Sequence, residues 1–188
     1  AEATDYLVDT TGGLSHVVAD SSAGDLVALY VRLGDRLLVA VRPAGAGTWQ
    51  SRFVHHDAIG SVRALTDETA LVAAVRGYEA FGTRNYVSGS DELAYGYAGE
   101  ALEERSGLAY HRARWMDARV GRFWGQDEAP PVHESPVSLH RYLYAEDNPQ
   151  GLIDPSGQFS VAAAALVSTV GILALSGCGS LSVNGIPV

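Results

Sequence analysis

From its first residues to about position 98 the chain keeps no helical period. Apolar runs are short, rich in Val, Leu and Tyr, and closed by Gly, Asp, Ser or Pro, as in Leu26–Leu33 and Arg36–Val41. They recur at intervals of about 8–12 residues, the rhythm of hairpins in an all-β protein. Leu65–Val75 has some helical propensity, but its setting between "HHDAIGSVR" and "RGYEAFG" predicts two strands joined by the turn "TDETA". Two stretches share one grammar: "DTTGGLSHVVADSSAGDLVALYV" and "HDAIGSVRALTDETALVAAVRGYEAFG" each run Asp, Gly, an apolar run, an acidic turn and a second apolar run. Spaced by roughly 40 residues, they predict hairpin units stacked side by side, whose open edges need neighbours.

The 188 residues suit one domain or part of a larger one, and the 47% hydrophobic content is enough for a core. The formal net charge of −9 argues against a nucleic-acid partner, which calls for clustered Lys and Arg. Cys178 stands alone, so no intrachain disulfide forms. "AEATDYLVDTTGG" has neither a basic nor an apolar signal region and reads as the middle of something longer. His55, His56 and Asp57 lack a second ligand pair at metal spacing, and the glycines match no phosphate-binding pattern, so no metal or cofactor is expected.

Residues 99–158 change character. They are rich in aromatics and arginine, with a proline-rich surface loop expected over 128–138. Tyr110, Trp115, Phe123, Trp124, Tyr142 and Tyr144 are expected in the core. "DPSG", residues 154–157, has the composition of a type I turn. Beyond it no charged residue follows, and Phe159–Leu175 is an apolar run of about 17 residues, the lower limit for a membrane span. Three fates are open for this tail: membrane contact over 159–175, enclosure inside a larger assembly, or a frayed end. "LSGC", Leu175–Cys178, resembles a lipoprotein box but lacks the basic N-terminal signal that such a box follows.

"HHDAIGSVRALTD" with "YEAFG" resembles the tyrosine–aspartate (YD) repeats of RHS proteins. "GLAYHRARWMD", "GRFWGQD", "YLYAEDNP" and "DPSG" fall in the order of the RHS repeat-associated core domain. The resemblance implies a mainly β architecture in three parts. Residues 1–98 would be YD-repeat hairpins of a spiral β-shell, 99–158 the core segment that closes it, and 159–188 a variable apolar tail. It implies as partners the upstream repeats of the same polypeptide, and a secretion apparatus or membrane through the tail, in a secreted or cell-surface toxin-type system. In several members the core cuts its own chain as an aspartic protease just after Asp-Pro-x-Gly. By motif position that role falls here on Asp127 and Asp154, with Arg114 beside them, cutting after Gln158. Two close carboxylates share a proton, so that one can activate water while the other protonates the leaving amine. Two departures stand against the pattern: "EAP" replaces Pro-x-Gly after Asp127, and Gln158 stands where an apolar residue is common. Three functions follow for test: structural closure of a β-cocoon, intramolecular proteolysis, and surface adhesion through the tail.

Overall fold

The structure, a computed structural model, describes residues 3–89, 93–131 and 135–162, and the backbone of two short strands farther on. Eight strands form one antiparallel meander in chain order. They are β1 (Thr4–Asp9), β2 (His16–Ser22), β3 (Asp25–Leu33), β4 (Arg36–Gly45), β5 (Thr48–His56), β6 (Val62–Thr66), β7 (Val72–Tyr78) and β8 (Arg84–Gly89). The expected "TDETA" turn joins β6 to β7. Acidic side chains close the turns: Asp67 Oδ1 accepts from the Thr69 and Leu71 amides, and Asp57 Oδ1 from those of Ile59 and Ser61. This is the physical content of the repeated acidic turn, since a carboxylate one strand-end away supplies the acceptor that the turning backbone cannot.

All seven ladders of this sheet contain a register shift, from Leu7/Val8 in the first to Gly77/Tyr78 in the last. A bulge bends its strand and sharpens the twist, so a bulge at every step curves the sheet. One face is buried. Ala28, Tyr30, Leu37, Ala40, Leu65 and Ala74 pack against Leu93 and Tyr95 of the segment that follows β8. Alanine at three of these positions leaves room for the Tyr95 ring, which meets Tyr30 edge-on at 5.1 Å. The other face is apolar yet open. Leu29, Val31 and Phe53, joined across β3–β5 by the register, are each more than a third exposed. Edge strands β1 and β8 are exposed along their whole length.

Four short strands make a second antiparallel sheet: β9 (Ala101–Glu103), β10 (Leu108–His111), β11 (Arg114–Asp117) and β12 (Arg122–Phe123). Met116, Phe123, Tyr144 and Ala145 form its core, together with Tyr97 and Ala109. The expectation that six aromatics of this region are core residues needs correction. Phe123 and Tyr144 are buried, but Tyr110, Trp115, Trp124 and Tyr142 are exposed, Trp124 to 72%. The reason is pleat: Tyr110 and Trp115 are cross-strand partners on the outer face, with rings 5.0 Å apart, while His111 and Arg114 face inward.

β13 (Leu152–Ile153) leads into the Asp-Pro-Ser-Gly loop and pairs with β14 (Val161–Ala162). Two early residues of the apolar run, Val161 and Ala162, thus form a strand beside β13. Its remainder, 163–175, and with it the membrane reading, lies outside the described residues. So does Cys178. Two further strands pair near the end, β15 (Ser182–Val183) with β16 (Ile186–Pro187). Among the described residues no helix is long and apolar enough to cross a membrane.

Candidate functional site: a charged cleft at the closing loop

The site is built on the tip of the β10–β11 hairpin. His111 pairs with Arg114 across a two-residue loop in which Arg112 takes φ +58°. Both flanking side chains therefore point into the protein. Arg114 is buried, and its guanidinium lies 3.8 Å over the Phe123 ring. Each of its nitrogens is used. Nη2 meets Asp127 Oδ2 at 2.8 Å and Asp154 Oδ2 at 3.3 Å, Nη1 donates to the Arg141 carbonyl at 3.0 Å, and Nε donates to the Gly157 carbonyl. The three residues singled out by motif position thus meet at one guanidinium nitrogen.

Backbone pairing delivers the two aspartates. The Trp124 amide donates to the Trp115 carbonyl, and the Asp127 amide to that of Arg141, which holds 124–127 beside the hairpin. Asp127 Oδ1 accepts from the Ala129 amide at 2.8 Å, while Arg141 donates to the Asp127 and Ala129 carbonyls. Asp154 is almost wholly buried. Its Oδ1 accepts from the Ser156 hydroxyl and from the Gln158 and Phe159 amides, each at 3.1 Å. The loop is accordingly a run of bends held by a side chain, where a hydrogen-bonded type I turn was expected. The Asp154 carbonyl, which such a turn would use, accepts instead from His111 Nδ1 at 2.7 Å. Burial pushes the Asp154 carboxyl above the usual carboxylate range, and the Ser156 hydroxyl, Arg114 and the two amides pull against it.

Position 157 admits only glycine. Its φ is +71°, and a Cβ there would stand 2.3 Å from the His111 carbonyl oxygen. Arg112 ties the loop to Glu100 and to the residue before β2. It donates to both Glu100 oxygens at 2.8 and 2.9 Å, to the Ser15 carbonyl at 3.1 Å, just before β2, and to the Pro155 carbonyl.

Arg114, Asp127, Asp154, Gln158 and Phe159 all line one cleft of about 260 Å³. The nitrogen of the Gln158–Phe159 peptide bond is the atom 3.1 Å from Asp154 Oδ1. Asp154 Oδ1 thus accepts from the nitrogen of that bond, and Asp127 lines the same cleft. The expected proton shared between the carboxylates has a competitor, because the Arg114 cation stands between them and neutralises one charge itself.

Sequence reasoning missed His111, Arg112 and Arg141. His111 and Arg112 sit in the quoted "GLAYHRARWMD" and Arg141 directly precedes "YLYAEDNP", but each role depends on contacts with residues 12 to 97 positions away. His55, His56 and Asp57 do not converge. His55 Nε2 meets the Thr66 hydroxyl at 3.0 Å and Asp57 caps its turn. Among the described residues no group of three acidic, His or Cys side chains could hold a metal.

No protein-family model matches the chain. It is 33% identical over 110 residues to the tRNA nuclease WapA of Bacillus subtilis, covering 57% of this chain and 5% of that protein. Double-stranded DNA deaminase toxin A of Burkholderia cenocepacia is 32% identical over 112 residues, 55% of this chain and 7% of the toxin. The fold matches a TcdB2–TccC3 crystal structure with a TM-score of 0.62 at 20% identity, over 83% of this chain and 8% of that one. A Photorhabdus luminescens Tc holotoxin pore, carrying a point mutation in TccC3, matches with 0.64 at 16% identity, over 85% of this chain and 8% of that one. The chain thus spans less than a tenth of each of these proteins.

Proposed function

Because the chain belongs to the RHS-type proteins, we propose that it forms the wall and closing segment of a β-shell in a secreted or surface toxin system. In this reading the hairpins up to residue 98 are wall, 99–158 close it, and the segment beyond is enclosed or presented. The observation that supports it most is the sheet itself, which is bulged at every ladder, open at both edges and apolar on its free face. Tyr6 and Leu7 on β1 and Tyr86 on β8 are over half exposed. Covering apolar surface of this kind stabilises a fold, about 1.5–3 kcal/mol for a fully buried Leu, so the sheet gains stability from neighbouring strands of its own polypeptide. The nuclease and deaminase activities named for the relatives belong to those much longer proteins.

The test is the state of the chain alone. It is expected to self-associate in sedimentation, and to form hollow particles by electron microscopy when joined to further repeats. A monomer that melts cooperatively, with its edges unpaired, would remove the reading.

A second reading, intramolecular proteolysis, is favoured by the Phe159 amide on Asp154. Water, with Asp127 as base, adds to the Gln158 carbonyl carbon. The C–N bond then breaks as the Asp154 proton passes to the Phe159 nitrogen, leaving a carboxyl at 158 and a free amine at 159. Intact mass of the purified chain decides it: cleavage after Gln158 that disappears in Asp154→Asn supports it, and wild-type protein that always stays whole refutes it. Adhesion through the tail has no support from the described residues.

A further inference from the structure

His111 is buried to 0% exposure and carries no role in the motif reading. Its ring is caged edge-on by Phe123, 5.6 Å away at 86°, and by Tyr144, 5.3 Å away at 68°. Caging leaves the imidazole one orientation. In it, Nδ1 is 2.7 Å from the Asp154 carbonyl oxygen, and Nε2 has no hydrogen-bond partner among the described residues. A carbonyl can only accept, so the proton sits on Nδ1 and Nε2 is bare. Burial pushes the imidazole below its ordinary pKa, with Glu100 pulling the other way.

The hairpin tip therefore grips the loop twice over. His111 holds the main chain of Asp154 from one side, and its own carbonyl abuts Gly157. Arg114 holds the Asp154 carboxylate and the Gly157 carbonyl from the other. Oδ1 is left facing the Gln158 and Phe159 amides because both grips hold. Arg114 alone would fix a charge but not the peptide that carries it.

We propose that His111, as its Nδ1–H tautomer, is the positioning residue that aims the Asp154 carboxyl at the Gln158–Phe159 peptide. As a positioning role in cleavage this rests on the proteolytic reading; as a latch on the loop it does not. The nearest replacements separate donor from bulk. Asparagine can place an amide N–H where Nδ1–H stands, whereas leucine fills the cage without a donor.

The experiment uses the full chain as wild type, His111→Asn and His111→Leu. Cleavage after Gln158 is followed by intact mass, amide exchange at Gln158 and Phe159 by NMR, and the wild-type ring tautomer by imidazole 15N shifts. His111→Leu is expected to slow cleavage and to speed exchange at both amides by about tenfold or more, while His111→Asn stays within about threefold of wild type. Nδ1 is expected to carry the proton. The inference is overturned if the proton is on Nε2, if His111→Leu matches wild type, or if asparagine is as damaging as leucine, which would make the role one of packing. Should wild type stay uncut, the proteolytic reading fails on its own, and exchange and tautomer still decide the latch. Should His111→Leu not fold, His111→Asn and the tautomer decide it.

Discussion

The eight-stranded sheet and the residues after it hold themselves together in different ways. In the sheet from β1 to β8, backbone ladders and a narrow face of alanine, leucine and tyrosine supply the order, and much apolar surface is left open. In residues 93–162 the ladders are short, and buried charges knit the loops: Arg112 on Glu100, and Arg114 between Asp127 and Asp154. A meander of hairpins meets the same need at each step, so ladders and small side chains supply most of its order, with Arg76 on β7 adding buried bonds to the Leu93 and Tyr95 carbonyls. Residues 93–162 carry no such repeat and are held at single places, which is what directional, buried polar contacts specify. The arrangement also puts titratable groups, Glu100 and Asp154 among them, where water is scarce.

That contrast can be broken first at Arg114. Arg114→Ala strands two carboxylates and is expected to cost about 3–5 kcal/mol in urea unfolding, with part of the loss recovered when Asp154→Ala is added. An equal loss from truncating exposed Val31 would erase the distinction between the regions. Next comes Gly157→Ala, which forces a Cβ against the His111 carbonyl at positive φ. A loss of about 2–4 kcal/mol is expected by thermal or chemical unfolding, and an unchanged melting curve would mean that the loop does not nest on the hairpin. Asp154→Asn keeps the shape but removes the charge opposite Arg114. About 1–3 kcal/mol is expected, together with complete loss of any cleavage after Gln158.

The eight-stranded sheet has its own titration. Burial first, then the Arg36 charge, lowers the His56 pKa to about 4. Between the unfolded value near 6.5 and about 4 the unfolded chain binds more protons than the native one, so stability falls as pH drops through that window. His56→Gln should flatten that slope in a series of urea melts. A slope that persists would place the acid sensitivity in the closing segment instead. The smallest effect is expected at the edge. Leu7→Lys should change stability by no more than about 0.5 kcal/mol while reducing self-association in sedimentation.

Much of the fold was legible. The runs Leu26–Leu33 and Arg36–Val41 fall within β3 and β4, and Leu65–Val75 divides between β6 and β7 around its acidic turn. Period-two alternation, turn residues and spacing are local, and hairpins between consecutive strands are the most local of tertiary contacts. Arg114, Asp127 and Asp154 were found through motif position, and their meeting at one nitrogen was not derivable from spacing, since Asp127 arrives through its pairing with Arg141. The aromatics misled because residue type alone does not say which face of a pleat a side chain takes. Tyr110 and Trp115 went outward because His111 and Arg114 went inward.

By itself, then, the sequence determined a hairpin architecture, a change of character after residue 98 and a loop at Asp154 where charge ends. All three are carried by neighbours along the chain. Tertiary structure alone decided that this loop is held by the Asp154 side chain, that His111 and Arg112 grip it, and that the Phe159 amide lies on a buried carboxyl. Those contacts join residues about 40 positions apart or draw on desolvation, which exists only once a three-dimensional surface has closed over a charge.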